Sequence, residues 1–140
     1  MADRLHVEIV TQEGVVYEGQ VDSLVAPGVS GYFGTLPHHA PLIAELTVGE
    51  LRLREAEGWQ QFAISGGIFH LAERRAIVMA DAVEPVAGID VERARAALRR
   101  ARERLQPGRR PPNLDVGRAQ LALARALNRL RVAGAPAIDR

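Results

Sequence analysis

The sequence predicts an α+β protein, with an N-terminal antiparallel β-sandwich over residues 1–86 and a C-terminal antiparallel helical hairpin over 87–140. Short stretches of alternating apolar and polar residues, punctuated by glycine and charge, fill the N-terminal region, as half-buried strands require. The C-terminal region writes a single helical phrase twice. Ile89-Asp90-Val91-Glu92-Arg93-Ala94 returns 25 residues later as Leu114-Asp115-Val116-Gly117-Arg118-Ala119. Charge reverses at the join: residues 1–86 hold five Arg against twelve Asp and Glu, a net of −7, whereas 87–140 hold thirteen Arg against five acids, a net of +8.

Leu5, Val7 and Ile9 alternate with His6 and Glu8 and open the first strand. Further strands are expected at 15–17, 21–26, 42–46, 51–55, 62–64, 68–71 and 76–81. Reversals are expected at Glu13-Gly14, Pro27-Gly28, Ser30-Gly31, Val48-Gly49, Glu57-Gly58, Gly66-Gly67 and Glu73-Arg74-Arg75, where glycine or charge permits a tight turn. Many short strands at even spacing indicate a sandwich or barrel. About 85 residues is a small core for a lone domain, so packing against the helical region or a partner would help it.

Pro85 and Gly88 end the last strand and form a hinge. Asp90 then suits a helix N-cap, its carboxylate accepting a bond from an otherwise unpaired N–H, and Glu92 favours the positive end of the helix dipole. Val91, Ala94, Leu98, Ala101 and Leu105 step by three and four, and Val116, Ala119, Leu123, Ala126 and Leu130 repeat the rhythm. Pro107-Gly108 and Pro111-Pro112 separate the two helices; the second begins at the Asp115 cap and ends near Gly134, with Pro136 beyond. The seams are narrow and rich in Ala. At about 25 cal/mol per Å² such side chains bury little, so the hairpin is expected to be weakly held and able to rearrange.

No apolar run reaches the roughly 18 residues of a membrane span, and the N-terminus lacks a signal-peptide layout, so a soluble, cytosolic chain is expected. The absence of cysteine excludes disulfides and thiolate metal sites. A basic tail raises nucleic acid, a membrane surface or an acidic protein as possible ligands.

Several segments, taken in order, carry a family resemblance: Gly14-Val15-Val16-Tyr17, Val21-Asp22-Ser23-Leu24-Val25-Ala26-Pro27-Gly28, Gly31-Tyr32-Phe33-Gly34-Thr35-Leu36-Pro37-His38-His39-Ala40-Pro41-Leu42, Ile64-Ser65-Gly66-Gly67-Ile68-Phe69, Met79-Ala80-Asp81, the Ile89 to Ala94 phrase, and Ala126-Leu127-Asn128-Arg129-Leu130-Arg131-Val132-Ala133. Together they resemble the epsilon subunit of bacterial F-type ATP synthases. His38 stands where that family commonly has Gly. The resemblance implies a non-catalytic central-stalk subunit at the cytoplasmic face of the bacterial plasma membrane, touching the membrane only through the complex. Its implied partners are the gamma subunit of the rotor shaft, the c-ring of the membrane sector and, when the helices extend, the alpha/beta catalytic head. The helical pair is implied to be a regulatory arm that inhibits ATP hydrolysis.

Arg93 at the third helical position opposes the helix dipole, at about 0.3 to 1 kcal/mol, and invites an explanation. It either pairs with Asp90 along one helix face or helps to bind an anion at the helix end. Arg93 and Arg100, seven apart, are about 10.5 Å apart on one face, and Arg125 and Arg129 share another. If the chain reverses around Arg109 and Arg110, Arg93 comes level with Arg129 and Arg100 lies within two turns of Arg125, so that four guanidinium groups line one cleft. By resemblance to the ATP-binding members of the family, Glu84, Ile89, Asp90, Arg93, Ala94, Arg100, Arg125 and Arg129 fall on nucleotide-binding positions. The expected regulatory ligand is ATP, with or without Mg, favouring the folded-down arm.

The resemblance also makes His39 a contact residue of the loop facing the shaft. Tyr32 and Phe33, bounded by Gly31 and Gly34, are either folded onto the core or offered to a partner. Trp59 and Phe62 read as core or edge cover. His38 and His39 are adjacent, point apart on an extended loop and have no third ligand, so no metal site is expected. Ser65-Gly66-Gly67 lacks the frame of a nucleophile elbow, and no acid, base and nucleophile cluster together, so an enzyme is not expected. The rival reading is a stand-alone nucleic-acid-binding β-barrel with a basic helical hairpin. An acidic β-domain without an aromatic, basic strand face opposes it.

Overall fold

The structure, a computed structural model, describes residues 3–108 and 112–135. Two compact units divide the chain, Met1–Pro85 and Val86–Arg140. The reversal expected around Arg109 and Arg110, together with Pro111 and Pro136, lies outside the described residues.

The first unit contains β1 (Leu5–Thr11), β2 (Gly14–Val21), β3 (Ser23–Gly28), β4 (Gly31–Thr35), β5 (Leu42–Glu55), β6 (Gly58–Ala72), β7 (Arg75–Ala80) and β8 (Val83–Pro85). Their order is β2-β1-β7-β6-β5-β3-β4, with β8 also on β6. Neighbours pair antiparallel except β1 and β7, which run parallel from His6↔Arg75 to Val10↔Met79. The central pair makes the sandwich. β5 and β6 have 14 and 15 residues, some 46 to 50 Å of extended chain. One end of β6 carries β7 and beyond it β1 and β2, while its other end takes β8, and β5 takes β3 from Leu46 to Arg54, with β4 beyond β3. Alternate residues therefore meet in one core that includes Leu5, Val7, Ile9, Leu24, Leu51, Leu53, Ile64, Phe69 and Val78, all fully buried.

Three expected reversals are not reversals. Pairing of β5 with β6 runs in one register from Leu42↔Leu71 to Glu55↔Gly58, straight through Val48-Gly49 and Gly66-Gly67. Gly49 is there because its neighbours come close: a Cβ would lie 2.5 Å from Cβ of Pro27 and 2.8 Å from the Tyr32 hydroxyl. Gly67 has φ +136°, and a Cβ would run into the Met79 carbonyl oxygen and lie 2.9 Å from Cα of Ala80. Pro27-Gly28 belongs to β3, and the chain turns one step later, at Val29 and Ser30. The 31–35 segment, where no strand is expected, is the edge strand β4, paired with β3 through Pro27↔Tyr32. Alignment also persists past β7: the Ser65 N–H donates to the Ala82 carbonyl at 2.9 Å and the Asp81 N–H to Gly66 at 3.1 Å, which leads into β8.

In the second unit a 3-10 turn, Val86–Gly88, precedes α1 (Val91–Leu105) and α2 (Val116–Val132). Both helices start as their sequences require: Asp90 Oδ1 accepts the Arg93 N–H at 3.0 Å and Asp115 Oδ1 the Arg118 N–H at 3.1 Å. The end of α2 is a Schellman closure, with Gly134 at φ +72°, its N–H donating to the Arg131 carbonyl, and the Ala135 N–H donating to Leu130. The helices pack antiparallel on Ala94, Leu98, Ala126 and Leu130, flanked by Val91, Ala97, Leu123, Leu127 and Ala135. That core is small, and two of its four central side chains are methyl groups.

Candidate nucleotide site and docking surfaces

The repeated Asp-Val-x-Arg-Ala phrase is a capping signature in both copies. Each aspartate binds the main chain of the arginine three residues on. No ion pair joins Asp90 to the Arg93 guanidinium among the described residues, so the side-chain pairing along the helix face does not form. Asp90 already satisfies that N–H, so it is not open to an anion, and only guanidinium groups would be left to bind one there.

Packing sets where those groups stand. Ala94, Leu98, Ala126 and Leu130 form the seam, so Arg93, Arg100, Arg125 and Arg129 lie on its N-terminal-ward flank on each helix. In an antiparallel pair these two flanks open on the same side, and the contact of Ala94 and Leu98 with Ala126 and Leu130 puts Arg93 near the level of Arg129. Arg93 and Arg100 are exposed, whereas Arg125 and Arg129 are half-buried. Ala94 is buried in the seam, and Ile89 is half-buried with its N–H donating to Val86 at 3.2 Å. Glu84 belongs to the first unit, half-buried on β8 opposite Ala63.

Strand alternation separates the residues expected at a partner contact. Tyr32 points outward, 60 % exposed, its hydroxyl accepting the Glu50 N–H at 2.9 Å. Phe33 turns inward, edge-on to Phe69 at 5.2 Å between ring centroids. His39 is exposed; its Nδ1 donates to its neighbour's carbonyl, that of Ala40, at 2.7 Å. His38 instead reaches Asp3, so the two histidines diverge. No cluster of three metal-ligating side chains occurs among the described residues.

A surface missed by sequence reading crosses the sheet. Val15, Val10, Met79, Ile68 and Glu45 stand opposite one another on β2, β1, β7, β6 and β5, with Ile77 and Ile43 in the next row. Val15, Met79, Ile68 and Ile43 are 60, 45, 40 and 70 % exposed. An apolar row across four strands, ending at Glu45 and flanked by Ile77 and Ile43, marks an interaction face. Its one local sign is Ile43 beside Leu42; the rest depends on register.

These features define a β-sandwich docking module with an arginine-rich helical hairpin attached. Comparison with known proteins makes this specific. Residues 4–86 match the model of the ATP synthase delta/epsilon chain β-sandwich domain and residues 88–134 that of its long α-helix domain. The chain belongs to the ATP synthase delta/epsilon chain family. It is 51 % identical to the ATP synthase epsilon chain of Carboxydothermus hydrogenoformans over 105 residues, 75 % of this chain and 78 % of that one. It is 46 % identical to that of Moorella thermoacetica over 111 residues, 79 % and 81 % of the two chains. Its fold is similar to a chain in the Euglena gracilis mitochondrial ATP synthase structure of OSCP, F1 and c-ring, with TM-score 0.76, 22 % identity, and coverage of 89 % of this chain and 78 % of that one. No described helix is long and apolar enough to cross a membrane.

Proposed function

We propose that this chain is a non-catalytic regulatory subunit of the central stalk of an F-type ATP synthase, working at the cytoplasmic face of the bacterial membrane. One observation carries the regulatory role: the hairpin is a separate unit whose own core rests on Ala94, Leu98, Ala126 and Leu130. Two of those residues contribute only a methyl group each to the area that holds the helices. Such a hairpin exchanges partners at low cost, and its thirteen arginines favour an acidic surface on the alpha/beta head.

ATP favours the folded-down arm. Its phosphates are held by Arg93, Arg100, Arg125 and Arg129, whose guanidinium N–H groups can take phosphate oxygens in paired bonds. Within the second unit Ile89, Asp90 and Ala94 belong to the same site, with Asp90 acting by holding the first turn of α1. The apolar row of Val15, Met79, Ile68 and Ile43 docks on the gamma subunit of the shaft. Tyr32 and His39, with Phe33 as the inward support, serve the contact with shaft and c-ring.

The deciding experiment measures ATP hydrolysis by a reconstituted head with the full chain and with a version ending at Gly88. Faster hydrolysis with the shortened chain supports the inhibitory arm; equal rates remove it. Calorimetry with millimolar ATP on the full chain tests the ligand separately: saturable heat that falls at least tenfold in affinity in Arg93→Ala supports the site, and no heat refutes it.

A further inference from the structure

The corner of the sandwich where β5 meets β6 carries an arrangement that neither docking on the shaft nor nucleotide binding uses. Arg54 stands opposite Trp59 and Arg52 opposite Gln61, so these side chains share one side of the sheet. The guanidinium carbons of Arg52 and Arg54 lie 5.1 and 5.3 Å from the centre of the Trp59 ring. Trp59 is 44 % exposed.

Two cations on one ring repel each other, and compensation is slight. Glu50 lies 3.7 Å from Arg52 but already accepts the Gln61 amide at 3.0 Å. Arg54 has no carboxylate partner among the described residues. At these distances cation–π attraction holds each guanidinium beside the ring, and a guanidinium so held can still take a carboxylate in two parallel bonds. The site is thus ordered before any ligand arrives, which lowers the entropy cost of binding.

We infer that Arg52, Arg54 and Trp59 form a docking point for a protein segment carrying two carboxylates. Arg52 and Arg54 are two residues apart on a strand, about 6.6 Å, which matches acidic residues two apart on an extended peptide. Nucleic acid fits less well. Two arginine side chains already compete with a base for the indole, and the net charge of −7 over residues 1–86 opposes a long polyphosphate.

Trp59 is the only tryptophan in the chain, so its emission reports this corner. The test titrates full-length protein at low salt with a blocked Ala-Glu-Ala-Glu-Ala peptide, its Gln counterpart and an eight-base oligothymidine. A saturable emission change is expected with the Glu peptide, at least fivefold tighter than with the Gln peptide. It should weaken at least tenfold in Arg52→Gln/Arg54→Gln and less in Arg52→Lys/Arg54→Lys, with unfolding midpoints checked to confirm that both variants fold. No saturable change, equal binding of the Gln peptide, undiminished binding by the Gln variant, or preference for the oligonucleotide would each overturn the assignment.

Discussion

The carboxylate of Asp3 lies 2.6 Å from Nε2 of His38 and, through its other oxygen, 3.0 Å from Nη1 of Arg74. It clasps the chain before β1, the loop after β4 and the β6–β7 turn, where Glu73 and Arg74 have φ +50° and +64°. All three side chains are well exposed, so the clasp contributes about 0 to 1 kcal/mol. Asp3→Asn should leave the melting temperature almost unchanged yet speed amide exchange across 36–41, the stretch that carries His39. Unaltered exchange there would mean that the loop is held by other contacts.

Gly67 and Gly14 both have strongly positive φ, but only Gly67 is crowded. Gly67→Ala adds a clash with the backbone of Met79 and Ala80 to the conformational cost, and should destabilise by more than about 3 kcal/mol. Gly14→Ala meets open space and should cost only the backbone strain, about 1 to 2 kcal/mol. Urea unfolding of the two variants measures the difference; similar midpoints would show that β7 can move aside.

Tyr17 packs edge-on to Phe62, with its hydroxyl closed off from solvent. Burial, and then the nearby Glu55 carboxylate, push its pKa up to about 12. Glu55 acts there through its charge, because no group among the described residues meets hydrogen-bond geometry with the hydroxyl. Since the unfolded chain ionises first, near 10, stability that is intact below pH 10 falls as pH rises towards 12. Tyr17→Phe removes an unpaired buried group, so it should be neutral or slightly stabilising at pH 7 and should lose less stability between pH 10 and 12. Parallel pH-dependent melts check both points.

Asp90→Ala and Asp115→Ala each remove one cap and should each cost about 1 kcal/mol of helix stability. Circular dichroism should show fraying in both variants. Only Asp90→Ala should also weaken ATP binding, because only that cap orders the turn carrying Arg93. Equal loss of ATP affinity from both changes would show that general loosening of the hairpin, rather than that turn, controls the site.

The division into sandwich and hairpin, the caps at Asp90 and Asp115, the end of α2 at Gly134 and the family were all legible in the chain, because each rests on residues close together in sequence. A cap is settled within four residues and a helical seam within two turns, so no distant contact is needed to read them. Register across strands is another matter. Gly49 and Gly67 look like turn residues until Pro27 and Met79 are seen pressed against them, and Phe33 and Tyr32 take opposite faces only once β4 exists. Likewise, nothing local places Met79 opposite Ile68, or stacks Arg52 and Arg54 on Trp59. Those relationships come from long-range pairing, which tertiary structure alone decides, because a shift of one residue sends every side chain of a strand to the opposite face.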